Sequence, residues 1–294
     1  MFWNIDVPNQ RDIVTIFAIV LLKTGTNNRT RNTQNQKMKF NLFDKMNQEF
    51  LIRLARFLSG ATVLWHESQP DTCQRIYFAN HTSHLDAVVI WAALPGYVRK
   101  LTRMVAAKDY WGAGTIRKYI ATKLFNAILI DRENMNIKNT PVKVMIDEIE
   151  DKYSMILFPE GGRSETGTLG AFKSGIYHIC RKRPDIELIP VYLNNMNGIL
   201  PRGKTLPVPM LSRIVFGQPM WLEMNESKNN FLERARNAIL KLKALEEHYE
   251  EDDNGEIDND NDDEQNEPYE LIKIQDNSKS SIHNFIIHKQ HEPS

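Results

Sequence analysis

Apolar and polar positions along the 294-residue chain switch repeatedly between two periods. Short runs rich in β-branched and aromatic residues at 62–66, 75–79, 101–106, 125–130, 154–158, 187–193 and 213–216 predict strands. Between them, helical spacing predicts helices at 85–94, 115–124, 141–152, 173–181 and 228–247, the first closed by Pro95-Gly96. Strand and helix alternating in this way predict an α/β fold, a mixed, largely parallel sheet flanked by helices. No internal repeat is present.

Ahead of this body, 43–58 carries Phe43, Met46, Phe50, Leu51, Leu54, Phe57 and Leu58 at helical spacing, with Lys45, Arg53 and Arg56 between them. This predicts an amphipathic basic helix, suited either to the core or to a membrane surface. The apolar run 13–22 would span only about 15 Å of a roughly 30 Å hydrocarbon core, so we expect it not to cross a membrane. Asp6 and Asp12 flank it, and no A-x-A-like site follows, which fits a signal peptide poorly. Residues 23–39 are Asn- and Thr-rich without apolar period. We therefore read 1–39 as an extension, disordered or not native, 40–245 as the domain, and 246–294 as a disordered acidic tail.

Charge sharpens this division. Up to Leu245 there are 34 Lys and Arg against 21 Asp and Glu; from Glu246 onward there are 3 against 16. A body at +13 beside a tail at −13 suits an anionic lipid surface, a phosphorylated ligand or nucleic acid, and charge alone does not choose among them. Only Cys73 and Cys180 are present, without metal-type spacing, as in a reducing compartment.

Two stretches carry the candidate chemistry. In Asn80-His81-Thr82-Ser83-His84-Leu85-Asp86, a histidine precedes a carboxylate by five residues. His81 can take a proton from an alcohol while Asp86 fixes its tautomer and stabilises the imidazolium. In Phe158-Pro159-Glu160-Gly161-Gly162-Arg163-Ser164, an arginine sits on a glycine turn after a strand, fit to clamp a phosphate. Arg132 is a candidate second cation. A metal site is the rival reading, because His81, His84 and Asp86 resemble part of H-x-H-x-D-H. The spacing is wrong and no third histidine follows, so we expect no metal. Nor is there a P-loop. Ser83 is better suited to capping a helix than to nucleophilic attack.

In four ordered blocks the sequence resembles the PlsC-like lysophospholipid acyltransferases. Asn80, His81, Ser83 and Asp86 match N-H-x-S-x-x-D; 158–164 matches F-P-E-G-T-R-S except at Gly162; Ile189-Pro190-Val191 matches the fourth block. Of G-x-x-F-I-x-R only Ile130 and Arg132 survive, with Asn126 and Leu129 at its glycine and phenylalanine positions. The resemblance implies a glycerol-3-phosphate acyltransferase-like fold and acyl transfer from a thioester to the hydroxyl of 1-acyl-glycerol-3-phosphate. It implies His81 and Asp86 as the catalytic dyad, and Glu160, Gly161, Arg163 and Ser164, with Arg132, at the acceptor. Pro190 would belong to the acyl-chain region. No cofactor is implied beyond acyl-CoA or acyl carrier protein as co-substrate, and no nucleic acid. The protein would work peripherally or monotopically on the cytoplasmic face of a membrane. Another lysophospholipid or a lyso-aminolipid as acceptor, and a non-catalytic lipid-surface protein, stay open.

Overall fold

A computed structural model describes residues 45–255, apart from 51, 54, 57–59, 84–85, 113, 132–139, 165–166 and 195–211, together with 269–275 and 282–288. The extension 1–39, His84 and Arg132 lie outside the described residues. Strands are β1 (Thr62–Trp65), β2 (Arg75–Ala79), β3 (Thr102–Ala107), β4 (Ile128–Ile130), β5 (Ser154–Leu157), β6 (Glu187–Leu193) and β7 (Arg213–Phe216). They lie in the order β4-β3-β5-β2-β6-β7-β1, every neighbouring pair parallel except β6 with β7. This is the mixed, largely parallel sheet that the alternation predicts. Within 246–294, read above as a disordered tail, β8 (Tyr269–Gln275) and β9 (Ile282–His288) add an antiparallel pair at the β1 edge, β9 lying parallel to β1.

Helices cover both faces of the sheet: α1 (Asp86–Ala93), α2 (Thr115–Tyr119), α3 (Pro141–Ile149), α4 (Gly175–Lys182) and α5 (Lys228–Gly255). All five residues of β2 are buried, as a central parallel strand requires. Alternate side chains enter opposite cores. Tyr77 and Ala79 join Trp65, Ile90, Trp91 and Phe216, whereas Ile76 and Phe78 join Ile149, Met155, Ile179 and Phe231. Trp65 stacks on Phe216 with ring centroids 4.1 Å apart, pinning β1 to β7. Thr140 caps α3 by accepting the Lys143 N–H (3.3 Å), and Pro141 fills the first helical position.

Three predicted elements differ for identifiable reasons. The 115–124 helix loosens after Tyr119 into a π-turn, Ile120–Leu124, where Phe125 N–H donates to Ile120 O (3.0 Å). The strand foreseen at 125–130 consequently starts only at Ile128, because Phe125 closes that turn and Asn126 takes a left-handed φ of 49°. The last helix continues past Leu245, where the tail was placed, to Gly255. Its added residues include several glutamates, which are good helix formers.

Before β1, residues 45–50, 52–53 and 55–56 are helical. Ile52 is buried in the core, Gln48 Nε2 donates to Leu124 O (2.6 Å) and Arg56 Nε to Ala92 O (2.7 Å). This stretch therefore packs on the domain, yet Met46 and Phe50, one turn apart, remain exposed.

Candidate active site

β2 and β5 are adjacent and parallel, with Phe78 in register with Leu157, so the loops that leave them emerge side by side. Such strand ends are where α/β sheets place ligands. Buried Asn80 locks the first loop to the end of β6: its Nδ2 donates to Leu193 O (3.0 Å) and its Oδ1 accepts the Leu193 N–H (2.8 Å). The chain then turns through His81 and enters α1 at Asp86.

The Asp86 carboxylate is fully buried, and a single oxygen, Oδ2, meets three groups. It lies 2.9 Å from His81 Nδ1 and accepts the N–H groups of Thr82 (2.7 Å) and Ser83 (2.8 Å). The bonds to Thr82 and Ser83 N–H anchor the preceding loop on the first residue of α1, so the carboxylate that opens the helix also orients the imidazole. An ionised carboxylate only accepts; the partner therefore assigns the proton to Nδ1 and leaves Nε2 as the basic nitrogen. The ring stacks on Phe158 at 4.1 Å and 18°, with about 20% of the side chain exposed.

The second loop is tied to the first by hydrogen bonds spanning about eighty residues of sequence. Phe158 O accepts the Gly161 N–H (3.0 Å), closing a turn in which Gly161 has φ 70°. Glu160 Oε1 accepts the His81 N–H (2.9 Å), its Oε2 accepts the Gly170 N–H (2.8 Å), and Ser164 N–H donates to His81 O (2.7 Å). His81, Gly161 and Arg163 thereby border one cavity of about 1120 Å³.

Not every candidate residue has the place foreseen for it. Glu160 is absent from the cavity lining and spends both oxygens on backbone amides, which makes it a strut between the loops. Ser164 acts through its backbone. Pro190 sits inside β6 opposite Phe78 and borders a separate cavity of about 710 Å³ beside α5. It is not brought to the cavity of His81, because its strand runs through the sheet rather than ending there. Conversely, Arg117, Tyr110 and Trp111 border the His81 cavity without having been singled out as site residues, and Lys173, a donor in the polar stretch that follows the glycine turn, borders it too. Among the described residues, no three His, Cys, Asp or Glu side chains gather as a metal site needs.

Known proteins similar to this chain include acyltransferases. The Acyltransferase family model matches residues 62–194, a span holding both loops. A 1-acyl-sn-glycerol-3-phosphate acyltransferase from Cocos nucifera is 30% identical over 143 residues, 48% of this chain and 44% of that one. Another from Limnanthes douglasii is 31% identical over 164 residues, 51% and 55% of the two chains. Over residues 62–194 the chain is similar to the acyltransferase family, and these relatives support a PlsC-like assignment. It spans about half the length of the curated relatives it matches. The fold is shared with the crystal structure of the 1-acyl-sn-glycerophosphate acyltransferase PlsC from Thermotoga maritima. That likeness has a TM-score of 0.52 at 17% identity and covers 78% of this chain and 88% of that one.

Acyltransferases can in principle work through a thiol, but neither cysteine suits that role. Burial pushes Cys73 up to about 11 and Cys180 up to about 12, so both are neutral at pH 7.5. Neither borders the His81 cavity. Treatment of the native protein with N-ethylmaleimide at pH 7.5 is expected to label it far more slowly than the unfolded chain, whose thiols titrate near about 8.5. Labelling of Cys73 should accelerate as the pH rises toward 11. Rapid labelling at pH 7.5 accompanied by loss of acyl transfer would contradict this.

Proposed function

We propose that the protein moves a fatty acyl group from an acyl thioester, acyl-CoA or acyl carrier protein, to the free hydroxyl of 1-acyl-glycerol-3-phosphate, forming phosphatidate. One observation carries this: His81, with Nδ1 held by Asp86, opens on the same cavity as Arg163. The cavity wall also includes Met104, Ala121, Phe125, Met145 and Ile176, apolar surface for an acyl chain. A lipid with one chain, one free hydroxyl and one phosphate matches all three features.

In this mechanism His81 Nε2 removes the hydroxyl proton as the oxygen attacks the thioester carbonyl. The new C–O bond gives a tetrahedral oxyanion. Its collapse breaks the C–S bond, and the proton passes from His81 to the departing thiolate, leaving an ester and a free thiol. A positioned base contributes about 10²–10⁴ in rate; alignment within the cavity and N–H donors to the oxyanion supply the rest. No protein side chain is acylated, and the chemistry needs neither metal nor organic cofactor. Asp86 orients the ring and balances the imidazolium. Arg163 holds the phosphate through paired charge-assisted hydrogen bonds.

A lysophospholipid acceptor resides in a bilayer, so on this reading the enzyme works at a membrane surface as a peripheral or monotopic protein. Exposed Met46 and Phe50 beside Lys45 and Arg53 support that placement. No helix among the described residues is long and apolar enough to cross a membrane.

The test is incubation of the full chain with one labelled acyl-CoA and a panel of lyso-lipids. Labelled phosphatidate is expected; product only from other acceptors would overturn the assignment. Within that assay Arg163→Ala is expected to raise the acceptor KM about ten-fold or more, the scale of a hydrogen bond to a charged group, with kcat changed far less. An unchanged KM with lost kcat would remove Arg163 from the phosphate.

A further inference from the structure

Gly161 has φ 70°, and the place its Cβ would take is already filled. A Cβ there would stand 2.7 Å from Lys173 Cδ and 2.8 Å from both Cε and Nζ. The arm of Lys173 therefore lies along the glycine turn with its ammonium against it. A backbone bond fixes this arrangement, Lys173 N–H donating to Pro159 O (2.8 Å). Lys173 borders the cavity of His81 and Arg163. Among the described residues no acid pairs with it, and the nearby Glu160 has committed both oxygens to backbone amides. Other cations in the neighbourhood are engaged: Arg117 lies 5.0 Å over the Tyr110 ring, and Lys108 pairs with Asp131 at 3.0 Å. Gly162 and Gly175 border the same cavity, and a Cβ at either would meet no atom within 4 Å.

Resting on the acceptor reading above, we propose that Lys173 is the second cation of the phosphate site, and that Arg163 and Lys173 together select lyso-lipids ending in a phosphomonoester over phosphodiesters. A phosphomonoester carries about −1.5 to −2 charge at pH 7 and presents three terminal oxygens. A diester carries a single charge and presents two, with its substituent standing where the third oxygen would be. A planar guanidinium meets two oxygens through its fork, and a lysine ammonium is a compact charge able to meet the third. With one cation both head groups are nearly matched. With two, the monoester gains the larger share.

Lys173→Met keeps the arm along Gly161 and removes the charge; Lys173→Gln is a second uncharged variant, and Lys173→Arg restores charge. The measurement is kcat/KM for lysophosphatidate and for lysophosphatidylglycerol, in micelles of one composition with one acyl-CoA. Both uncharged variants are expected to lower the lysophosphatidate-to-lysophosphatidylglycerol ratio about ten-fold or more, through the acceptor KM, and Lys173→Arg to recover most of it. Because Lys173 is exposed, the melting temperature should hold. An unchanged ratio, or an equal loss with both acceptors, overturns the role of Lys173 and leaves the acceptor reading standing. A wild-type enzyme that prefers lysophosphatidylglycerol overturns the acceptor reading and this inference with it.

Discussion

His81→Ala is expected to lower kcat/KM by about 10²–10⁴, the contribution of a positioned general base. The fold should survive. The ring is partly exposed and contacts Phe158 by stacking, while Asp86 Oδ2 keeps its bonds to Thr82 and Ser83 N–H after the imidazole is gone. The tie from Glu160 also persists, since it reaches the backbone N–H of residue 81 rather than the side chain. Acceptor KM should change little, because Arg163 is untouched. Steady-state kinetics with lysophosphatidate and acyl-CoA, beside a thermal melt, check all three statements. Activity within a few-fold of wild type in a folded His81→Ala protein would remove the base from the mechanism.

Much of this arrangement is legible in the linear pattern, and its gaps have physical causes. The predicted strands 75–79, 187–193 and 213–216 end where the structure ends them, because each is a short β-branched and aromatic run buried on both faces. The parallel pairing of β2 with β5 brings together the loops that hold the Asn80-to-Asp86 and Phe158-to-Ser164 stretches. The weak second block is clarified by Asn126. It stands at the family's glycine position with φ 49°, a conformation asparagine tolerates better than most residues, so the local backbone is one that a glycine would also favour. Periodicity did not foresee the π-turn at Ile120–Leu124, because an extra residue in a helical turn alters which face a side chain occupies without altering composition. Nor could it assign Glu160. Whether a carboxylate meets a ligand or the amides of His81 and Gly170 depends on loops 79 and 10 residues away. Asn80, quoted for its place in the motif, has its clasp on Leu193 hidden for the same reason: its partner is 113 residues distant.

Substitution of Asp86 is expected to separate charge from geometry in the dyad. In Asp86→Ala, the half-buried N–H of Thr82 and the buried N–H of Ser83 lose their acceptor along with the imidazole. At about 1–3 kcal/mol for each unsatisfied group, the loss should be about 3–5 kcal/mol of stability, with activity as low as in His81→Ala. Asp86→Asn behaves differently because all three contacts converge on Oδ2. An amide oxygen in that place can still accept them, preserving the Nδ1–H tautomer, and the amide nitrogen then occupies the buried Oδ1 position, which has no hydrogen-bond partner among the described residues. That nitrogen costs about 1–3 kcal/mol of stability. What vanishes is the negative charge beside the imidazolium. A unit charge about 4 Å away at an effective dielectric near 20 is worth about 4 kcal/mol, so kcat should fall by about 10²–10³ with little change in acceptor KM. Thermal or urea unfolding of both variants, paired with kcat and KM, resolves the two contributions. An Asp86→Asn enzyme with near wild-type kcat would show that orientation alone suffices, and a fully stable Asp86→Ala protein would show that the helix start is held by something other than this carboxylate.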